Sequence, residues 1–177
     1  FYLMVKILLY LNFNVHRYFM KKFFILLFFF GISNVHAESG TFTSSAVCEY
    51  DKSTISHNKS DVVSLSFNCL STIIKTNNNL FKLNTNSYGS SIAILIKSSS
   101  SMDLKSYNTI VSSSNPNDKI FSENIRKTGD VKSGGKGKST IIGGTGKYNG
   151  ITGECEYEIK YHPNNKTSGI TTCKYSL

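Results

Sequence analysis

The run Cys155-Glu156-Tyr157-Glu158-Ile159-Lys160-Tyr161 alternates strictly between apolar or aromatic side chains and charged ones. Successive side chains of a strand point to opposite faces, so this run is built for a β-strand with one covered face and one wet face. The pattern recurs along the chain. Val63, Leu65, Phe67 and Cys69 alternate with Ser64, Ser66 and Asn68, and Phe42, Ala46, Cys48 and Tyr50 share one face of an earlier segment. Ile92, Ile94 and Ile96 lie in a short β-branched run, and Cys173, Tyr175 and Leu177 share a face at the end of the sequence. No stretch shows a long apolar period of 3.6, although Lys119–Lys127 (KIFSENIRK) reads as a short helical turn. Polar, turn-rich pieces separate the strands, among them residues 57–61, 77–79, 98–101, 115–118 and 163–166. Many short strands at close spacing make an all-β barrel or sandwich. There is no internal repeat and no domain linker.

The cysteines sharpen this. Paired residues of an antiparallel hairpin have a constant sum, so each pair is centred on its turn. Cys155 and Cys173 are centred on residue 164, inside the Pro163–Lys166 turn, and Cys48 and Cys69 are centred between Asn58 and Lys59. Each cysteine also sits on the apolar face of its strand. The expected disulfides are therefore Cys48–Cys69 and Cys155–Cys173, each closing a loop of about 20 residues. Zinc is the competing use of four cysteines, but no CxxC is present, and His57 and His162 are the only histidines beyond residue 37. No metal is expected.

An even cysteine count suits an oxidising compartment, and residues 20–37 carry an export signal. Met20-Lys21-Lys22 supplies a start and a positive region, Phe23–Ile32 an apolar run, and Val35 and Ala37 the −3 and −1 positions of a cleavage site. The expectation is a signal peptide helix removed after Ala37, with delivery to the periplasm or the outside. The apolar run is about half the ~20 residues of a membrane span, so no permanent anchor is expected. Residues 1–19, which begin with Phe1, read as sequence upstream of this signal. What remains, residues 38–177, is the length of one domain. The first 37 residues carry Lys6, Arg17, Lys21 and Lys22 and no acid, so the net charge of the remainder is +5 instead of +9. So mild and dispersed a charge does not mark a nucleic-acid protein.

Gly134–Gly150 is rich in glycine and invites a phosphate-loop reading. Gly137-Lys138-Ser139 matches the end of a P-loop, but the required first glycine is Lys132. Gly144 and Gly146 begin a dinucleotide fingerprint whose third glycine would be Asn149. These glycines instead suit tight turns and bulges. Gly143, Gly144, Gly146, Gly150 and Gly153 fall in the segment GGTGKYNGITG, followed by an alternating strand. This segment resembles the signature of the allene oxide cyclase barrel-like superfamily, which includes plant dirigent proteins and many small secreted bacterial proteins. The match is specific over about 11 residues. The resemblance implies an antiparallel barrel of about eight strands with an interior cavity. No catalytic residue of the plant enzymes has a matching position here.

Other chemistry is sparse. Glu154, Glu156 and Glu158 stripe one strand face, but same-face neighbours lie ~6.8 Å apart, too wide to share one ion, so the stripe reads as a solvated outer face. No Ser/His/Asp spacing stands out. Tyr50, Tyr157, Tyr161 and Tyr175 share faces with the cysteines and, in a hollow barrel, their hydroxyls would line the cavity beside Arg126, the one arginine after residue 37. The expected function is non-enzymatic: binding of an apolar or amphipathic small molecule, or an envelope or surface role, with no cofactor. The alternative is a cyclase- or isomerase-type enzyme acting in the cavity, and its mark would be a buried carboxylate or Arg126 beside a tyrosine.

Overall fold

The computed structural model describes residues 38–57, 60–97, 102–130 and 132–177. The export segment and the residues before it lie outside these. Eight strands follow one another: β1 (Ser39–His57), β2 (Ser60–Thr76), β3 (Asn86–Lys97), β4 (Met102–Ser112), β5 (Lys119–Arg126), β6 (Gly134–Thr145), β7 (Thr152–His162) and β8 (Lys166–Ser176). Each pairs antiparallel with the next, and β8 pairs back onto β1, so the sheet closes with no free edge. The described residues contain no α-helix, only a 3-10 turn at Gly146–Tyr148.

Both disulfides form as their centring implies. Cys48 faces Cys69 across β1 and β2, Cys155 faces Cys173 across β7 and β8, and both pairs are bonded. Lys119–Arg126, expected as a helical turn, is instead β5. The reason lies in which side chains turn inward. Ile120, Ser122 and Arg126 are buried, while Phe121 and Ile125 point away from the interior and Ile125 is exposed. The inward set is mostly polar, which disguises the strand's alternation.

Two apolar clusters close the barrel. At one end Phe42, Ile73, Phe81, Ile120, Ile141, Tyr148, Ile151 and Tyr175 pack around the Cys155–Cys173 bridge. Phe81 reaches in from the β2–β3 loop, its ring 3.9 Å from that of Phe42 and 5.2 Å from that of Tyr148. Asn78 pins this loop, its Nδ2 donating to the Ser39 carbonyl at 3.2 Å while its Oδ1 accepts from the Leu80 amide at 3.0 Å and from the Tyr175 hydroxyl. At the other end Val63, Leu65, Phe67, Ala93, Leu95 and Leu104 form the second cluster, with Tyr50 and Tyr161 packed against it.

The glycine signature belongs to the first end. Gly146 has φ 61°, and a Cβ there would collide with the Asp118 carboxylate. That carboxylate accepts from the Lys147 amide at 3.1 Å and from Asn115 Nδ2 at 3.1 Å. The tight turn drops Tyr148 and Ile151 into the cluster. Gly150, at φ 87°, completes the reversal into β7.

The outer surface is uneven. Val47, Leu70 and Tyr88 lie side by side on β1, β2 and β3, and Ile92, Ile94 and Ile96 are exposed along β3. On β7, by contrast, Glu154, Glu156 and Glu158 are exposed opposite Lys174 of β8 and Lys136 and Lys138 of β6, with Lys136 Nζ 3.9 Å from Glu158. A membrane-spanning barrel needs an apolar belt on every strand, and the carboxylates of β7 cut across it. No helix among the described residues is long and apolar enough to cross a membrane.

Candidate functional site

Between the two apolar clusters the inward positions are small. Ser44 and Ala46 on β1, Ser71 on β2, Gly89 and Ser91 on β3, Ser106 on β4, Ser122 on β5, Ser139 on β6 and Gly169 on β8 all face the interior. Eight strands leave just enough room for ordinary side chains to fill a barrel. With serine, alanine and glycine in the middle layers, they do not fill it. A cavity of about 240 Å³ results. That is the volume of roughly eight water molecules, just below the ~300 Å³ at which drug-sized sites begin. Of its exposed lining residues, Thr85, Asn86, Ser114 and Lys147 open it beside the Phe81 plug, while Ser90 and Glu158 lie elsewhere on its rim.

The deep end of the cavity is polar. Arg126, at the end of β5, is 1 % exposed. Its guanidinium carbon lies 5.7 Å from the centre of the Tyr161 ring. Among the described residues, Nε, Nη1 and Nη2 of Arg126 have no partner at good hydrogen-bond geometry, and neither do Oδ1 of Asn124 or Oγ1 of Thr167. All three residues line the cavity. The ion pairs among the described residues are Lys105–Glu123, Lys136–Glu158 and Lys166–Glu49, and none includes Arg126. Asp118 is buried, but it is bonded within the turn at the opposite end.

Of the tyrosines expected at a cavity, Tyr157 and Tyr161 line it beside Arg126. Tyr50 and Tyr175 lie in the closing clusters, Tyr50 edge-on to Tyr161 at 5.5 Å and Tyr175 against Phe81 at 4.9 Å. The sulfurs of both bridges also face inward, as all four cysteines line the cavity. Gly143, Gly144, Gly146, Gly150 and Gly153 stand outside it and shape the turn into β7. Asn124, Thr167 and the ring of serines were not singled out from the sequence. Their only signal there is that they fall on the parity that turns inward, which on β3 and β5 is the parity with the smaller or more polar side chains.

Burial governs the phenols. It pushes the Tyr157 hydroxyl up to about 12, although the Arg126 charge opposes the shift, and it raises Tyr161 against the same opposition. Burial likewise takes Tyr148 to about 12 and raises Tyr175. A raised acid is held neutral by the fold, so its contribution to stability is complete below the unfolded value near 10 and is lost as pH rises through 12. Stability in denaturant is therefore expected to fall between pH 10 and 12, with part of the ultraviolet phenolate signal appearing only near pH 12. A phenolate signal developing wholly near pH 10 contradicts this burial. His162 is exposed, its Nε2 2.7 Å from Ser168 Oγ. No group of three or more His, Cys, Asp or Glu among the described residues is placed to hold a metal ion.

The fold and this interior define a class: a closed eight-stranded antiparallel barrel, stapled twice, with a small polar-floored lumen. Neither the protein-family models nor the curated proteins compared with the chain give a match.

Proposed function

We propose that this is an exported barrel that holds an amphipathic small molecule in its lumen. The observation that carries the reading is the cavity itself: small serines in the middle layers, apolar clusters at both ends and a buried arginine on the floor. A chain selected only for stability would fill that space, because each buried methylene adds about 0.8 kcal/mol. Two disulfides suit an oxidising compartment, in keeping with the export signal at residues 20–37. The likeness of GGTGKYNGITG to the allene oxide cyclase barrel-like signature supports a barrel built around a cavity.

The test is a screen of small amphipathic compounds by thermal shift and native mass spectrometry, run on the oxidised protein and on Ser91→Leu. A leucine at position 91 would occupy the lumen. The expected result is 1:1 binding to the natural chain that is lost in Ser91→Leu, while the variant itself melts higher. Binding that survives in Ser91→Leu places the ligand elsewhere and defeats the reading. A second reading, catalysis in the cavity, is favoured by Arg126 beside Tyr161, since a shaped cavity can promote a rearrangement with few polar groups. Under that reading the bound compound leaves with an altered structure. Release of only unchanged ligand supports binding alone.

A further inference from the structure

Arg126 is the most costly residue in this interior and the most informative. A guanidinium carries five N–H donors in a planar fork and no acceptor. Here it is 1 % exposed, and among the described residues none of its three nitrogens has a partner at good hydrogen-bond geometry. Buried charges are normally paired or fully hydrogen-bonded, because an uncompensated one costs several kcal/mol. Tyr161, its ring centre 5.7 Å from the guanidinium carbon and its hydroxyl close enough to interact with it, offsets part of that cost but leaves most of the five donors unmet. An element that serves only the fold would place a carboxylate opposite the guanidinium. In this barrel the space opposite is the cavity.

We infer that the lumen takes a compact monocarboxylate, its carboxylate gripped by the Arg126 fork and its apolar body lying among the side chains between the two clusters. This rests on the lumenal-binding reading and specifies its ligand. The chemistry of the floor fits such a group. A carboxylate offers two oxygens, the pairing that a guanidinium makes bidentately. The Thr167 hydroxyl, also unpartnered, supplies a further donor, and Tyr157 and Tyr161 keep their protons and remain able to donate. The roughly 240 Å³ of space admits a short aromatic or aliphatic acid and is too small for a long acyl chain.

The experiment uses 3-phenylpropanoate, the neutral 3-phenylpropanol and inorganic phosphate as probes, titrated calorimetrically into the oxidised full chain and into Arg126→Met and Arg126→Lys. In the natural chain the carboxylate is expected to bind roughly ten- to hundredfold tighter than the alcohol, the range of a charge-assisted bidentate pair. Arg126→Met should bind the alcohol undiminished, which shows that it is folded, and should lose the preference. Arg126→Lys should keep part of it. Equal binding of acid and alcohol by the natural chain, or a preference that survives in Arg126→Met, overturns the carboxylate inference while leaving lumenal binding intact. Phosphate binding as tightly as the acid overturns it too, since the apolar body would then contribute nothing. Failure of both organic probes to bind defeats the lumenal reading itself.

Discussion

Replacing Cys155 and Cys173 together by alanine is expected to lower the unfolding free energy by about 3 kcal/mol or more, read as a shift of the denaturant midpoint. The bridge spans 18 residues, and closing a loop of that length in the unfolded chain is worth about 3 kcal/mol. The Cys48–Cys69 bridge spans 21 residues, and its entropic contribution is nearly the same. The two sites differ in their surroundings. Cys155 and Cys173 are 5 % and 2 % exposed within the first apolar cluster, so their loss also opens a void among Ile141, Ile151 and Tyr175. Cys48 and Cys69 are only half-buried, at the edge of the second cluster, so their loss removes less packing. The C-terminal pair should therefore be the more damaging of the two. Removing both takes away about 6 kcal/mol from a domain of this size, whose stability lies in the ~5–15 kcal/mol range, and leaves it marginal. A loss below 1 kcal/mol at the C-terminal pair would contradict this account of how the barrel is held closed.

The second large effect has the opposite sign. Arg126→Met is expected to stabilise the unliganded protein by about 2 kcal/mol, because it replaces an unpartnered buried charge with an apolar chain of similar length. Function and stability are then opposed at one residue, as is common where a binding site holds a group the fold alone would not choose. The check is the denaturant midpoint of the oxidised variant without added ligand. A destabilisation of comparable size would mean that the guanidinium is satisfied in the unliganded protein, and the argument for an anionic ligand would lose its foundation.

Much of the architecture was legible from the residues, for reasons that can be named. The alternation of Cys155–Tyr161 fixes a strand with carboxylates outward, and Glu154, Glu156 and Glu158 are indeed exposed. The centring of each cysteine pair on a polar turn gives the register of two hairpins, and with it both disulfides. The helical turn at Lys119–Lys127 was wrong, and β3 shows the same difficulty from the other side. There Ile92, Ile94 and Ile96 face solvent while Ser87, Gly89, Ser91 and Ala93 face in. Alternation identifies a strand, but polarity tells which face is inside only when the inside is filled with apolar side chains. On β3 to β6 the inward positions around this cavity are largely serine, glycine, asparagine and arginine, so there the usual sign is reversed. The polar floor was hidden by the same inversion: nothing in the sequence alone distinguishes Asn124 and Thr167 from the many polar residues around them.

The claim that this interior is a binding site is tested most directly by amide chemical-shift mapping of the oxidised protein as 3-phenylpropanoate is added. The account predicts saturable shifts at cavity-facing positions, among them Ser91, Ser106, Asn124, Arg126 and Thr167, with the outward Tyr88, Ile94 and Glu156 unmoved. Shifts centred on the exposed face of β3, or none at concentrations that saturate a weak site, would contradict it.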